Sequence, residues 1–218
     1  MKLLPIAEIF TSVQGEGYYT GVRMTFVRTA GCSVGRPIPK EEKGALPVYI
    51  ERCKTYAGHE FLCDTNFQRK EALTVDQILE QIPRNVKHVC LTGGEPLNHN
   101  LSELVAACDS HGIKVHVETS GTVEFPAYLC KAWVTVSPKF GVLERSITCA
   151  DEIKLLVDEN FDIKKVPESV MKHRRVYIQP ISFEHDLDMT NVQRCLVLQE
   201  KYPQFILSLQ QHKTLHVR

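Results

Sequence analysis

Short runs rich in Val and Ile alternate along this chain with amphipathic helical patterns. The strand-like runs cover residues 24–28, 86–91, 113–118, 133–137, 152–157, 176–179 and 205–209. Helical patterns cover residues 75–82, which follow Thr74 as N-cap, residues 101–111, which end at Gly112, and residues 191–202, which stop at Pro203. Alternation of this kind predicts a parallel sheet with crossover helices.

The length of the chain limits how many such units it can hold. With 218 residues it supplies about six β/α units, whereas a complete eight-unit barrel needs about 250 residues. We therefore expect an α/β fold, an incomplete TIM-like barrel, in a single domain covering residues 1–218. A doubly wound sheet is the alternative, because periodicity alone does not distinguish the two.

Several predicted strands end in polar side chains that apolar packing does not favour. These residues are Arg28, Thr92, Glu118, Ser137, Lys139 and Gln179. The carboxyl ends of parallel strands meet at one edge of the sheet, so this set predicts the rim of an active site. The alternative is that each strand end is merely solvated.

The charge of the chain is balanced, with 26 basic and 26 acidic residues. No basic run concentrates positive charge, so composition favours a small-molecule substrate over nucleic acid or an anionic membrane. The first apolar run is broken by Glu8, too early for a secretory signal, and no stretch is long enough to span a bilayer. We therefore expect a cytoplasmic protein.

One segment, residues 33–62, breaks the alternation with six Pro and Gly residues and predicts a long loop. Three cysteines accompany it: Cys32, Cys53 and Cys63. Three thiolates can ligate three irons of a 4Fe-4S cluster and leave the fourth iron open. A zinc site with His59 as fourth ligand is the alternative. The remaining cysteines, Cys90, Cys108, Cys130, Cys149 and Cys195, are interpreted as core residues.

A series of short motifs runs through nearly the whole chain. In order they are 10–17 (FTSVQGEG), 26–32 (FVRTAGC), 63–65 (CDT), 91–96 (LTGGEP), 118–121 (ETSG), 137–139 (SPK), 179–182 (QPIS) and 211–213 (QHK). The series resembles the 7-carboxy-7-deazaguanine synthase family of radical S-adenosylmethionine (SAM) enzymes. The GGEP string is shared by radical SAM enzymes generally, whereas the QGEG string followed by the strand ending in Cys32 is far more specific.

The cysteine spacing departs from the usual radical SAM pattern. Most such enzymes carry Cys-x3-Cys-x2-Cys, but here the gaps are 20 and 9 residues. Some members of the family carry an expanded cysteine loop, so the resemblance supports Cys32 and Cys63 best. Cys53 is then the predicted second ligand, and His59 is the nearest substitute.

The resemblance implies roles for individual residues. The cluster that generates the radical would be bound by Cys32, Cys53 and Cys63, and magnesium by Thr65. SAM would be bound by Leu62, Cys63, Asp64, Gly93, Gly94, Glu95, Glu118, Ser137, Lys139, Gln179 and Ser182. The pterin substrate would be bound by Val13, Gln14, Gly15, Glu16, Arg28, Thr92, His212 and Arg218. Chemistry agrees with part of this, since Arg28 can clamp a carboxylate bidentately and Glu16 can accept from the donor-rich edge of a pterin.

The function implied is that of a radical SAM lyase. It would convert 6-carboxy-5,6,7,8-tetrahydropterin to 7-carboxy-7-deazaguanine with loss of ammonia, in deazapurine (queuosine-type) biosynthesis. The implied partners are a flavodoxin-like or similar reductant and a second copy in a homodimer, with no nucleic acid or membrane. Two alternatives remain: an activase that makes a glycyl radical on a protein partner, and a cluster-free module that binds zinc or a pterin.

Overall fold

The structure is a computed structural model that describes residues 3–63, 65–182 and 186–217. Its twelve strands are β1 (Leu4–Val13), β2 (Arg23–Thr29), β3 (Arg36–Pro37), β4 (Glu51–Lys54), β5 (Glu60–Cys63), β6 (Glu71–Leu73), β7 (His88–Gly93), β8 (Lys114–Thr119), β9 (Trp133–Val136), β10 (Glu152–Val157), β11 (Val176–Pro180) and β12 (Phe205–Leu207). Nine of them form one sheet in the order β12-β11-β10-β9-β8-β7-β2-β1-β6.

The central part of this sheet is parallel. Strand β2 pairs in parallel with β7, and parallel pairing continues through β8, β9, β10, β11 and β12. Strand β1 is antiparallel to both β2 and β6. The strand order does not close on itself, so the predicted open, incomplete barrel is confirmed.

The described residues form seven α-helices: α1 (Lys40–Lys43), α2 (Val75–Glu80), α3 (Ser102–Ser110), α4 (Glu144–Cys149), α5 (Glu168–Met171), α6 (Met189–Lys201) and α7 (Gln211–Thr214). Helices α3, α4, α5 and α6 lie in connections between parallel strands of the large sheet, whereas α1 lies between β3 and β4 and α7 follows β12. Helix α2 begins where its sequence predicts, because Thr74 and Gln77 form a reciprocal capping box. Within the described ranges no helix has both the length and the apolar character needed to cross a membrane.

Alternation along the strands separates the core from the barrel interior. On β10, the side chains of Ile153, Leu155 and Val157 are fully buried in the hydrophobic core shared with the helices. Lys154 and Leu156 point to the opposite face and line the interior cavity. The period of two in a strand therefore gives one apolar face for packing and one face available for chemistry.

The prediction of a long loop over residues 33–62 is wrong. This segment contains α1 and a three-stranded antiparallel sheet in the order β3-β4-β5. Its hairpin places Cys53 opposite Phe61 and Glu51 opposite Cys63. Its polar strands carry little periodicity, so pairing between neighbouring segments, and not local pattern, decides their structure.

Two of the cysteines interpreted as core residues are also corrected. Cys90, Cys108 and Cys195 are buried as expected, but Cys130 and Cys149 are exposed. Cys130 caps a 3-10 helix and Cys149 is the last residue of α4, so both lie at element ends beyond the apolar face.

Candidate active site

A cavity of about 930 Å³ opens inside the partial barrel. Most residues predicted for the site line it: Val13, Gln14, Gly15, Glu16, Arg28, Cys32, Cys53, Leu62, Cys63, Thr65, Thr92, Gly93, Gly94, Glu118, Ser137, Lys139, Gln179, Ser182 and His212. Two predicted residues, Asp64 and Arg218, lie outside the described residues. The polar strand ends singled out in the sequence therefore face a common space.

One wall of the cavity carries the three cysteines of the insertion. Burial raises the pKa of the Cys53 thiol to about 11, and all three cysteines line the same cavity. The Cys32 Sγ accepts hydrogen bonds from the backbone N–H groups of Val34 (3.4 Å) and Gly35 (3.3 Å). Backbone donors of this kind stabilise thiolates that bind iron.

The donor set fits a cluster that uses one thiolate per iron. No three His, Cys, Asp or Glu side chains within the described ranges are placed to share one metal ion. A 4Fe-4S cubane needs a different arrangement, because each of the three cysteines binds a separate iron of the cluster. His59, the alternative ligand, lies next to the turn of the β4–β5 hairpin and is not among the residues that line the cavity.

The GGEP turn follows β7 and places backbone against the cysteine wall. Gly93 has a φ of +125°, and a Cβ there would lie 2.5 Å from the backbone nitrogen of Thr29. Only glycine fits this position, because the positive φ disfavours other residues and a Cβ would collide with the backbone of Thr29. The turn can therefore present bare backbone to a ligand.

Glu95 is fully buried behind this turn and is not among the residues that line the cavity. Its carboxylate accepts hydrogen bonds from Thr119 Oγ1 (2.7 Å), the Ser120 backbone N–H (2.9 Å) and the Leu97 backbone N–H (3.1 Å). Thr119 and Ser120 themselves line the cavity. In this geometry Glu95 orders the neighbouring wall.

Three other cavity residues predicted for SAM, Ser137, Gln179 and Ser182, have hydrogen-bond partners within the protein. The Ser137 hydroxyl accepts from Lys139 Nζ at 2.7 Å. The Gln179 side-chain carbonyl accepts from the Ser208 hydroxyl at 3.3 Å, and the Ser182 hydroxyl accepts from the Asp188 backbone N–H. These contacts fix the side chains in place, while their roles in binding SAM stay predictions.

A polar wall of the same cavity is formed by a network around Glu118. Gln14 Nε2 donates to Glu118 Oε1 at 3.0 Å, and Thr92 Oγ1 donates to Glu118 Oε2 at 3.4 Å. Residues predicted for substrate therefore share hydrogen bonds with a residue predicted for SAM.

A buried ion pair lies next to that network. The Lys154 ammonium binds the Glu16 carboxylate, and Gln210 Nε2 donates to the other oxygen of Glu16 at 2.9 Å. Burial alone would raise the pKa of Glu16. Lys154, His212 and Gln210 lower it, and the resulting pKa is about 2. Burial likewise opposes the charge on Lys154, yet Glu16 and Glu118 raise its pKa. The pair is therefore ionised.

Sequence reasoning missed Lys154. The signal was present, because a lysine inside the otherwise apolar run 153–157 is unusual for a buried strand. Its register on β10 turns it inward, where it lines the cavity.

Arg28 is held at the cavity edge by two residues of β1. Its Nε lies 3.0 Å from Glu8 Oε1, and its guanidinium lies 5.6 Å from the centre of the Phe10 ring. The ion pair lacks hydrogen-bond geometry, since the buried Nε has no well-directed acceptor among the described residues. The guanidinium is thus positioned at the cavity.

Helix α7 closes the cavity from the side of the QGEG segment. The Gln211 backbone N–H donates to the Gly15 carbonyl at 3.0 Å. A Cβ on Gly15 would collide with the His212 imidazole and lie 2.8 Å from the His212 backbone nitrogen. Lys213 Nζ donates to the Ser182 carbonyl at 2.7 Å. These contacts bring His212 onto the cavity wall, as its sequence position suggested.

An open β/α barrel with a three-cysteine wall and a glycine turn after an inner strand defines a radical SAM enzyme. The chain is 32% identical, over 98% of its length and 98% of the relative, to 7-carboxy-7-deazaguanine synthase of Escherichia coli (strain K12). It is 32% identical, with 98% of each chain covered, to the enzyme of that name from Bacteroides thetaiotaomicron. The chain therefore belongs to the 7-carboxy-7-deazaguanine synthase family.

A solved structure agrees with this assignment. A crystal structure of QueE from Escherichia coli matches with a TM-score of 0.71 and 29% identity, covering 95% of this chain and 93% of that one. No family model matches the sequence. The resemblance inferred from the motifs, the fold class and the enzyme class are thus confirmed.

Proposed function

We propose that this chain converts 6-carboxy-5,6,7,8-tetrahydropterin to 7-carboxy-7-deazaguanine and ammonia, as a radical SAM lyase of deazapurine biosynthesis. The rearrangement conserves all substrate atoms between the product and ammonia. The observation that carries the proposal is that three cysteines and the network of Gln14, Glu16 and Glu118 line one and the same cavity.

The cysteine wall would hold a 4Fe-4S cluster through Cys32, Cys53 and Cys63. When bound, the cluster and SAM supply a 5′-deoxyadenosyl radical that abstracts hydrogen from the substrate. The chain's own part is to orient the ligands and exclude water. The proposed SAM contacts include the bare backbone of Gly93 and Gly94, the Ser137 hydroxyl and Gln179.

The polar wall would bind the pterin. Glu16 and Gln14 face the cavity with an anionic acceptor and an amide, which suit the N–H edge of a 2-amino-4-oxopyrimidine. Arg28 is proposed to take the substrate carboxylate, and Thr65 to bind a magnesium ion that keeps most of its waters. Thr65 lines the same cavity, which supports the magnesium role.

The proposed partners go beyond this cavity. The family suggests a homodimer, and a flavodoxin-like or similar reductant would reduce the cluster. We propose a cytoplasmic location, where thiols stay reduced and Cys32, Cys53 and Cys63 would stay available as ligands.

The test is anaerobic reconstitution followed by incubation with the carboxypterin, SAM, magnesium and a reductant. Mass analysis is expected to find a product lighter than the substrate by ammonia, formed together with 5′-deoxyadenosine. A C32S variant should bind less iron and form neither. Formation of 5′-deoxyadenosine by the wild type without the deazapurine would contradict the proposed substrate.

A further inference from the structure

The Glu16–Lys154 pair is the most deeply buried ion pair among the described residues. The exposed fractions of its side chains are 12% for Glu16 and 8% for Lys154. Other described ion pairs, such as Lys131 with Asp109, are far more exposed. Burying two charges costs several kcal/mol of desolvation for each ion. A buried ion pair adds little net stability. The position of this pair points instead to a role in the cavity that it borders.

Lys154 has one close charge partner and several more distant ones. Glu152, two residues earlier on β10, is already bonded to Thr135 Oγ1 (2.7 Å) and the Tyr18 backbone N–H (2.9 Å). Glu118 is occupied by Gln14 and Thr92. The hydrogen bond from the Lys154 ammonium therefore goes to Glu16.

Glu16 depends on this contact for its position. It sits in the segment after β1, a loop that lacks a regular hydrogen-bond ladder. One carboxylate oxygen binds Lys154 and the other accepts from Gln210. Both donors come from elements distant in sequence, so the carboxylate is held from two sides with its remaining lone pairs available to the cavity.

We propose that Lys154 is a positioning residue, which fixes the Glu16 carboxylate as the acceptor for the N–H edge of a 2-amino-4-oxopyrimidine ring. The inference rests on the proposed function and deepens it, because it assigns the recognition of the ring to a pair and not to Glu16 alone. Lys154 acts through Glu16 and does not itself bind the substrate.

The test is a double-mutant cycle on the holoenzyme, with K154M, E16Q and the double variant. The measured quantity is the anaerobic dissociation constant of 6-carboxytetrahydropterin. K154M is expected to weaken binding by about 10-fold or more, which corresponds to the loss of a charge-assisted contact. In the Glu16→Gln background the same change is expected to alter binding by less than about 2-fold, because the residue it positions is gone.

A matched control is K131M, which removes an exposed lysine and its surface pair with Asp109. Binding in this variant should equal that of the wild type. Iron content and circular dichroism report whether each variant is folded. Equal losses from K154M in both backgrounds would overturn the proposal, because Lys154 would then bind the substrate itself. An unchanged dissociation constant in K154M would also overturn it.

A measurement on the wild type keeps the proposal testable if K154M does not fold. Oxidised 6-carboxypterin serves as a fluorescent, unreactive probe between about pH 7.5 and pH 5.5. Lys154 should keep Glu16 charged in this range, so affinity is expected not to fall as the pH falls. The other charged groups facing the pair are Glu118, Glu152, Lys139 and His212, and protonation of His212 would only strengthen binding of an anion.

Weaker probe binding as the pH falls would overturn the proposal, since it would mean that the carboxylate is not held ionised. This failure is distinct from failure of the proposed function. The latter appears as absence of the deazapurine from the wild-type turnover, whatever the dissociation constants are.

Discussion

Replacing Gly15 with alanine should release helix α7 from the cavity. The backbone of Gly15 has no positive φ, so alanine is allowed there by its dihedral angles. The obstacle is space: the new methyl group would overlap the His212 imidazole and lie 2.8 Å from the His212 backbone nitrogen. A side chain can rotate away, but a backbone atom moves only if α7 shifts.

The size of the effect follows from what must be displaced. Overpacking a close contact costs about 1–3 kcal/mol, and moving α7 also strains the bonds that Gly15, Glu16 and Ser182 make with residues 210–213. If undocking relieves this strain, the undocked population rises by about 5-fold to 150-fold, at 1.4 kcal/mol per factor of ten.

Hydrogen exchange of the amides in residues 211–217 measures this population directly. Exchange should accelerate by a similar factor, and kcat/KM for the pterin should fall with it, because His212 leaves the cavity. The control is His212→Ala, which removes the imidazole without inserting an atom and should leave exchange in α7 nearly unchanged. Wild-type exchange rates in Gly15→Ala would refute the steric reasoning.

Three further outcomes are expected. Thr119→Val removes a donor to the buried Glu95 carboxylate, so urea denaturation should show a loss of about 1.5–3 kcal/mol; a loss below about 0.5 kcal/mol would contradict the role given to Glu95. Burial, together with the charges of its neighbours, lowers the pKa of His116 to about 4 from 6.5. The unfolded chain therefore binds the proton first, and stability should fall by up to about 3 kcal/mol between about pH 6.5 and pH 4. His116→Gln should flatten that slope, and an unchanged slope would refute the assignment. Cys53→Ser should lower the iron bound after reconstitution, whereas Cys149→Ser, at an exposed cysteine, should not; full iron content in the former removes Cys53 as a ligand.

Much of the fold was accessible from local pattern. The strand at residues 152–157 and the start of helix α2 at Val75 fall where periodicity and capping place them. Strand β1 was missed because its sequence mixes polar and apolar residues, and its structure comes from pairing with β2 and β6. The insertion was misread as a loop for the same reason, since only cross-strand pairing reveals it.

The sequence by itself determined the alternation of strands and helices, the order of the motifs and the family to which they belong. These are properties of neighbouring residues, and local chemistry encodes them. Only the tertiary structure decided that Glu95 supports a wall behind the cavity, and that Lys154 meets Glu16 across 138 positions of the chain. Such contacts depend on strand register and on which face each side chain takes, and one residue of slip would turn Lys154 into the core.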